Sequence, residues 1–327
     1  LYVGAHLVMP SASLLLLVVS MFAAHVAYGY FVEGRTRRAL MRLYGSYVPP
    51  ELVAEMAQRP AAARSMEVEH KTLTVLFCDI RNFGQLTATL TPEQVRELVR
   101  RCFTRMTEVV REHRGTLDKY VGDTLIAFWG APLDEPRHAE LAVQAAQAMT
   151  RAVAPLNEEL KARGLPEVAV GVGLNTGAMW VGDLGSEQRR SYTVMGDAVT
   201  LASRVEQLAR SYGLDVLVAE GTRDAAPQLS WQEVDRVLVK GRDTPVTLHT
   251  PLPASPDGDK ALASELKAWH MALKAYRQQD WDQADVQLLN LQRLNPEKRL
   301  YSLFAYRVAH LRKHPPPAGW DGAFEAK

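Results

Sequence analysis

The segment LTVLFCDIRNFG, residues 73–84, predicts a buried strand that runs through an acidic residue into a turn. Its first half is a compact series of apolar and β-branched side chains, which is typical of a buried strand. Asp79 stands at the end of that strand, and Phe83-Gly84 lead into a helical region. A carboxylate in this position is a candidate ligand for a hard metal ion.

Three helices are predicted after this first strand. Thr91-Pro92-Glu93 predicts a helix start, with Thr as the cap and Pro at the first helical position, and the apolar side chains that follow repeat every 3.6 residues. The second and third helices are predicted at residues 138–160 and 197–212, the latter closed by Gly213.

The strands are predicted mainly as hairpins. One spans residues 117–129 around Gly122-Asp123, and another spans residues 168–181 around Asn175-Thr176-Gly177. Further short strands follow residue 214. The order β-α-β-β-α-β predicts the ferredoxin-like arrangement, an α+β fold with one antiparallel sheet and helices on it.

The charge balance and the cysteine count exclude several classes of protein. The 327 residues include 38 basic and 37 acidic side chains, a formal net charge of +1. This balance gives no global electrostatic case for nucleic-acid binding, so no nucleic-acid partner is predicted. The two cysteines, Cys78 and Cys102, fall in apolar stretches, which excludes a disulfide scaffold and a cysteine-based zinc site.

The amino end carries an uncharged apolar run that predicts a membrane span. Ala12 to Val32 contains no Asp, Glu, Lys or Arg, and about 20 apolar residues cross a hydrocarbon core of roughly 30 Å. Arginines follow the run at positions 35, 37, 38 and 42, whereas a signal peptide carries its positive charge before the run. A buried globular helix is the other alternative. We therefore expect the chain at the cell membrane, with its catalytic part in the cytoplasm.

Asp79 and Asp123 together indicate phosphoryl-transfer chemistry. Two-metal phosphoryl transfer needs hard carboxylates at the ends of neighbouring rigid strands. In a β-α-β-β-α-β sheet these two residues come from adjacent central strands, so both carboxylates can face one magnesium pair. Each residue alone is weak support, since an Asp in a Gly-Asp turn is usually only a turn former.

Five sequence blocks resemble class III nucleotidyl cyclases, in order, over residues 68–250. The blocks are FCDIRNF at 77–83, KYVGD at 119–123, VGVGLNTG at 170–177, GDLGS at 182–186 and YTVMGDAV at 192–199. The layout is similar to bacterial membrane-bound receptor-type cyclases of the threonine-containing adenylate cyclase subgroup. The resemblance implies an adenylate cyclase that converts ATP to 3′,5′-cyclic AMP and pyrophosphate in signal transduction.

The resemblance also implies ligands for metal and purine. Asp79 and Asp123 match the metal-binding aspartates, assisted by the Ile80 carbonyl, for two Mg²⁺ or Mn²⁺ ions per site. Lys119 matches the residue that reads the purine, and Thr193 stands where many adenylyl cyclases carry Asp.

The remaining matches concern the phosphates. Arg204 matches the transition-state arginine and Lys240 the triphosphate lysine, while Phe83 and Gly84 lie where backbone amides meet the phosphates. In this family the site lies across a homodimer interface. One chain would supply the aspartates, and its partner the purine-reading pair and the arginine.

Two positions depart from the family pattern. Thr200, four residues before Arg204 and on the same helix face, replaces an Asn, and Gly84 replaces a usual Thr. Losing one preorganised donor in such a site costs about 10²–10³ in rate. Thr200 therefore leaves open a catalytically impaired nucleotide-binding or dimerising regulatory module. A cyclase that uses GTP also stays open, because Thr193 would read the purine through one hydroxyl, whereas Asp would discriminate more sharply.

Four regions are predicted along the chain. They are a transmembrane segment at 1–34, a helical transducer or linker at 35–67, a catalytic domain at 68–253 and a helical extension at 260–327. The extension resembles one tetratricopeptide repeat, from the spacing of Ala272, Trp281, Ala284 and Pro296. A single repeat cannot bury its own face, so we expect it to pack on the catalytic unit or on another chain. The first residue is Leu rather than Met, which predicts that sequence is missing upstream. The resemblance to receptor-type cyclases implies that this missing part includes an extracellular sensor.

Overall fold

The computed structural model describes residues 13–25, 67–188, 190–253, 260–317 and 319–326. The chain divides into two compact units, residues 1–64 and 65–327. In the first unit, residues 13–25 form a helix, α1, whose side chains are all exposed.

The predicted transmembrane helix is wrong for the residues that the structure describes. No helix among them is both long and apolar enough to cross a membrane. The 13 described residues of α1 cover about 20 Å at 1.5 Å per residue. The rest of the predicted span, and residues 35–66 of the predicted linker, lie outside the described residues.

The described residues of the second unit form one sheet of nine strands. These are β1 (Glu69–Ile80), β2 (Thr116–Val121), β3 (Thr124–Trp129), β4 (Val170–Gly185), β5 (Arg190–Met195), β6 (Val216–Ala219), β7 (Trp231–Val239), β8 (Val246–Pro251) and β9 (Phe324–Ala326). Their order is β2-β3-β1-β4-β6-β8-β7-β9, and β5 pairs with β4 beside that path. Most pairs are antiparallel, whereas β4–β6 and β7–β9 are parallel.

Eight helices of the second unit accompany the sheet in the described ranges. They are α2 (Phe83–Thr87), α3 (Pro92–Glu112), α4 (His138–Lys161), α5 (Asp197–Tyr212), α6 (Glu220–Ala225), α7 (Lys260–Arg277), α8 (Trp281–Leu294) and α9 (Arg299–Lys313). The helix start predicted at Thr91 is confirmed, because Thr91 and Gln94 form a reciprocal capping box. The predicted α+β class of the catalytic part is confirmed as well.

β4 departs from the predicted hairpin around Asn175-Thr176-Gly177. It runs through these residues as one strand, and every residue from Val170 to Val181 pairs with β1. The Asn175 side chain donates to the carbonyl of Ala198 on α5, 2.9 Å away. The hairpin prediction was wrong because pairing with a buried central strand outweighs the local turn preference of these residues.

Two apolar cores cover the sheet. The first joins α3 and α4 to β1, β3 and β4, and the second joins α5 and β6–β8 to the three C-terminal helices. The C-terminal helices therefore pack on the sheet that carries the site, through large buried side chains such as Trp269, Tyr276, Tyr301 and Phe304. Strand β9, which the sequence analysis did not predict, extends the same sheet beside β7.

Arg307 connects the C-terminal helices to the catalytic part. Its Nη1 atom lies 2.5 Å from Asp235 Oδ2 on β7, and both side chains are buried. The Tyr212 hydroxyl at the end of α5 donates to the same Asp235 oxygen, at 2.5 Å. The Arg307 guanidinium also stacks 3.7 Å from the centre of the Phe324 ring on β9. One arginine on α9 thus contacts α5, β7 and β9.

Candidate active site

Two carboxyl groups lie next to each other where β1 ends. Asp79 is the last residue but one of β1, and Asp123 lies in the turn between β2 and β3. The Ile80 amide donates to the Asp123 carbonyl oxygen at 3.3 Å, which holds the turn against the end of β1. Burial and the charge of Asp123 raise the pKa of Asp79, and a hydrogen bond between the two side chains raises it further. The structure therefore brings the two predicted aspartates together.

Asp79 also accepts hydrogen bonds from two neighbouring side chains. The Thr124 hydroxyl donates to Oδ1 at 3.0 Å, and Arg210 Nη2 donates to Oδ2 at 2.8 Å. Both contacts lower the pKa of Asp79 and so oppose the effect of burial. Sequence reasoning missed Arg210, because a basic residue in the last turn of a helix is already explained by the helix dipole.

Glu206 adds a third carboxyl group to this region. Burial, together with the charge of Asp79, raises the pKa of Glu206 to about 7, against the opposing charges of Arg210 and Arg81. Glu206 lies on α5, which packs directly against β4 because position 173 of that strand is a glycine. A Cβ atom there would lie 2.2 Å from the Glu206 backbone nitrogen, which no other residue could accommodate without moving the helix.

A divalent cation that also binds a phosphate needs few ligands from the protein. Mg²⁺ is usually bound by one or two carboxylates plus substrate phosphates, rather than by an all-protein cage. Within the described parts of the chain, no group of three or more His, Cys, Asp or Glu side chains could hold a metal ion. Asp79 and Asp123 are the carboxylates here that could hold such an ion, with water or a nucleotide as its other ligands.

The backbone segment after β1 turns sharply beside these carboxylates. Ile80 is buried, and Asn82 has a left-handed conformation with φ of 55°. Phe83 and Gly84 then begin α2, and the first turn of a helix leaves backbone amides without an intrahelical acceptor. A Cβ atom at Gly84 would meet nothing within 4 Å. The two predicted amide donors thus lie at an open helix start.

A second group of contacts joins Lys119 on β2 to Thr193 on β5. Lys119 Nζ lies 2.9 Å from Thr193 Oγ1. The Thr193 hydroxyl donates to Asp118 Oδ2, also at 2.9 Å. Burial raises the pKa of Asp118, while the Lys119 charge and the Thr193 hydrogen bond lower it. The structure therefore brings the two predicted purine-reading residues together and adds Asp118, which the sequence analysis did not single out.

A third group lies along α5 and at the end of β7. A Cβ atom at Gly241 would be 3.6 Å from Arg204 Nη1, so the Arg204 guanidinium lies against the residue that follows Lys240. Lys240 is exposed immediately after β7. Thr200 is also exposed, and its hydroxyl faces the Gly196 carbonyl oxygen of its own helix at 3.5 Å.

The chain is similar to proteins of one family over this same part of its length. A family model described as the adenylate and guanylate cyclase catalytic domain matches residues 66–250. Adenylate cyclase 1 of Rhizobium meliloti (strain 1021) is 32% identical over 234 residues, which are 69% of this chain and 34% of that protein. The chain thus spans about a third of the length of this relative.

Two solved structures give the same result for the fold. The adenylyl cyclase CyaB from P. aeruginosa is 29% identical with a TM-score of 0.54, covering 57% of this chain and 97% of that one. The guanylyl cyclase Cya2 is also 29% identical, with a TM-score of 0.52, covering 56% of this chain and 92% of that one. The chain is therefore similar both to a structure named as an adenylyl cyclase and to one named as a guanylyl cyclase.

Proposed function

The chain belongs to the family of adenylate and guanylate cyclase catalytic domains, and we propose that it converts ATP to 3′,5′-cyclic AMP and pyrophosphate. The observation that carries the proposal is the adjacent pair of carboxyl groups, Asp79 and Asp123, at the end of a central strand. We place the reaction in the cytoplasm, because nucleoside triphosphates are available there.

Asp79 and Asp123 are proposed to bind Mg²⁺ or Mn²⁺, with the Ile80 carbonyl as a further ligand. Divalent ions bound there would lower the pKa of the ribose 3′-hydroxyl and neutralise the charge on the leaving pyrophosphate. The amides of Phe83 and Gly84, at the start of α2, are proposed to donate to the phosphates. The start of α2 follows directly after β1, and this supports the proposal because one nucleotide could then contact both the carboxylates and the amides.

Lys119 and Thr193 are proposed to read the purine. Their contact at 2.9 Å supports the proposal, since two strands from different parts of the chain bring a donor and a hydroxyl to one point. The similarity to adenylate cyclase 1 of Rhizobium meliloti favours ATP over GTP as the substrate. The similarity to the guanylyl cyclase Cya2 keeps GTP as the second candidate.

Arg204 and Lys240 are proposed to bind the phosphates during the reaction. Arginine suits this role because its planar guanidinium donates two parallel hydrogen bonds and stays charged. The Arg204 guanidinium lies beside Gly241, the residue that follows Lys240. Thr200 has a shorter side chain than the Asn it replaces, and its hydroxyl faces its own helix. We therefore propose slow turnover rather than loss of turnover.

The active form is proposed to be a homodimer. Large apolar side chains are exposed at Tyr120 and Val121 on β2, which carries Lys119, at Met195 on β5, which carries Thr193, and at Trp180 on the neighbouring strand β4. Trp180 and Met195 lie opposite each other on β4 and β5. Exposed apolar side chains of this size are typical of protein interfaces. In the dimer, the aspartates of one chain would work with Lys119, Thr193 and Arg204 of the other.

The test is cyclic AMP production by the purified full chain with ATP and Mn²⁺, beside an Asp79→Ala variant of equal thermal stability. Production by the wild type and not by the variant supports the proposal. Equal background signals from both, in samples that light scattering identifies as dimers, would contradict it. Replacing ATP with GTP at the same concentration decides between the two substrates.

A further inference from the structure

Asp118 is a buried acidic residue that none of the proposed steps uses. It is 4% exposed and precedes Lys119 on β2. The pairing of β2 with β3 shifts between Leu117 and Lys119, so Asp118 is the extra residue of a β-bulge. In a regular strand, neighbouring side chains point to opposite faces. The bulge re-aims them, and both Asp118 and Lys119 contact Thr193.

The direction of the hydrogen bonds at Thr193 follows from the donors that each partner has. Lys119 has three donors and no acceptor, so the Thr193 oxygen must accept from Lys119 Nζ. A hydroxyl has only one proton, and the partner at 2.9 Å on its other side is Asp118 Oδ2. The Thr193 proton is therefore held by Asp118.

We propose that Asp118 is a specificity-determining residue, because it leaves the Thr193 hydroxyl able only to accept a hydrogen bond from the purine. Adenine carries an amino group at position 6, which donates, whereas guanine carries a carbonyl oxygen there, which accepts. The Lys119 side chain contacts Thr193 and is half-exposed, and in the proposal it moves aside when a base enters. An adenine amino group would then pair with the Thr193 oxygen, while guanine would place two acceptors against each other.

The inference rests on the proposed function, since it assumes that Lys119 and Thr193 meet the purine. It adds a residue that acts through Thr193 and a physical reason for choosing ATP. A buried acceptor that meets another acceptor loses about ten- to a hundredfold in binding relative to a matched pair. This is the selectivity that Asp118 is expected to supply.

Asp118→Asn reverses the hydrogen bond with little change in shape. Asp118 Oδ1 lies 3.4 Å from Lys119 Nζ, so the ammonium group favours the amide oxygen on that side. The amide nitrogen then takes the place of Oδ2 and donates to Thr193. The Thr193 proton must turn elsewhere, and it becomes available to a guanine oxygen.

The experiment compares kcat/KM for ATP and for GTP in the wild type and in Asp118→Asn. The expected result is a fall of about tenfold or more in the ATP-to-GTP ratio. Binding of 3′-deoxy-ATP and 3′-deoxy-GTP, which cannot cyclise, should show the same change by calorimetry. Asp134→Asn is the matched control, because Asp134 is an exposed aspartate that also pairs with a lysine, Lys71 at 3.0 Å.

Testing Asp118→Asn in the Thr193→Val variant separates an effect on nucleotide specificity from a general effect on the structure. In Thr193→Val the hydroxyl is absent, so adding Asp118→Asn should leave the ATP-to-GTP ratio unchanged. An equal loss for both nucleotides in Asp118→Asn, or a ratio as in the wild type, would overturn the inference. A wild type that prefers GTP would overturn it too. A wild type that cyclises neither nucleotide would instead contradict the proposed function.

Discussion

Replacing Arg210 with Gln should make the chain bind Mn²⁺ more tightly in the absence of nucleotide. Arg210 Nη2 lies 2.8 Å from Asp79 Oδ2, one of the oxygens proposed to bind the metal. A metal ion that uses this oxygen must displace the guanidinium, so the ion pair competes with the metal. Removing the guanidinium removes the competition, whereas Arg210→Lys keeps the charge and should stay close to the wild type.

The exposure of the two partners sets the expected magnitude. The Arg210 side chain is 51% exposed and that of Asp79 is 11% exposed, so the interaction is screened by solvent on one side. A pair of this kind contributes about 0.5–1 kcal/mol, which corresponds to Mn²⁺ binding about two- to fivefold tighter. The gain should shrink as salt is added, because salt screens the exposed partner.

The assay is calorimetric titration of the nucleotide-free protein with Mn²⁺ at pH 8. Arg105→Gln is the matched control, since Arg105 is similarly exposed and pairs with Glu108 at 3.3 Å on the distant helix α3. The control should bind Mn²⁺ as the wild type does. If Arg210→Gln bound Mn²⁺ no more tightly than the control, Arg210 would be supporting the carboxylates rather than competing with the metal for them.

Two further variants test the buried ion pair of Arg307 and the role of Thr200. Arg307→Met leaves Asp235 buried without its cation, so it should lower the free energy of unfolding by about 3–5 kcal/mol. Urea denaturation measures this free energy, and a loss under 1 kcal/mol would contradict the prediction. Thr200→Asn restores a longer side chain with a hydrogen-bond donor, so it should raise kcat for cyclic AMP formation about tenfold. This is part of the rate effect of one preorganised donor. A steady-state assay checks this, and an unchanged kcat would mean that Thr200 already fills the role.

The sequence predicts those features of the site that depend on a single strand end or a single turn. Asp79 follows an unbroken apolar strand, and Asp123 follows a Gly in a tight turn, so their meeting needs only the pairing of β1 with β3. The start of α3 was equally predictable, because Thr91, Pro92 and Gln94 determine it locally.

Other features depend on contacts between distant segments, which local patterns do not encode. Asp118 lies in a bulge whose position is set by the pairing of β2 with β3. Arg210 reaches Asp79 across 131 residues of sequence. The turn predicted at Asn175 was overridden by pairing with β1, and the strand β9 needs the free edge of β7. The domain boundaries, the linker and the upstream sensor stay predictions.

Complementation between two inactive variants tests whether the active site is shared between two copies of the chain. Asp79→Ala removes a proposed metal ligand, and Arg204→Ala removes the proposed phosphate-binding arginine. If the site is shared between two copies, a mixed dimer holds one intact site and one that lacks both groups. Equal amounts of the two chains, after exchange of subunits, should therefore recover about a quarter of the wild-type cyclic AMP production. A mixture as inactive as its parts, with exchange confirmed by mass spectrometry of the dimers, would contradict the shared site.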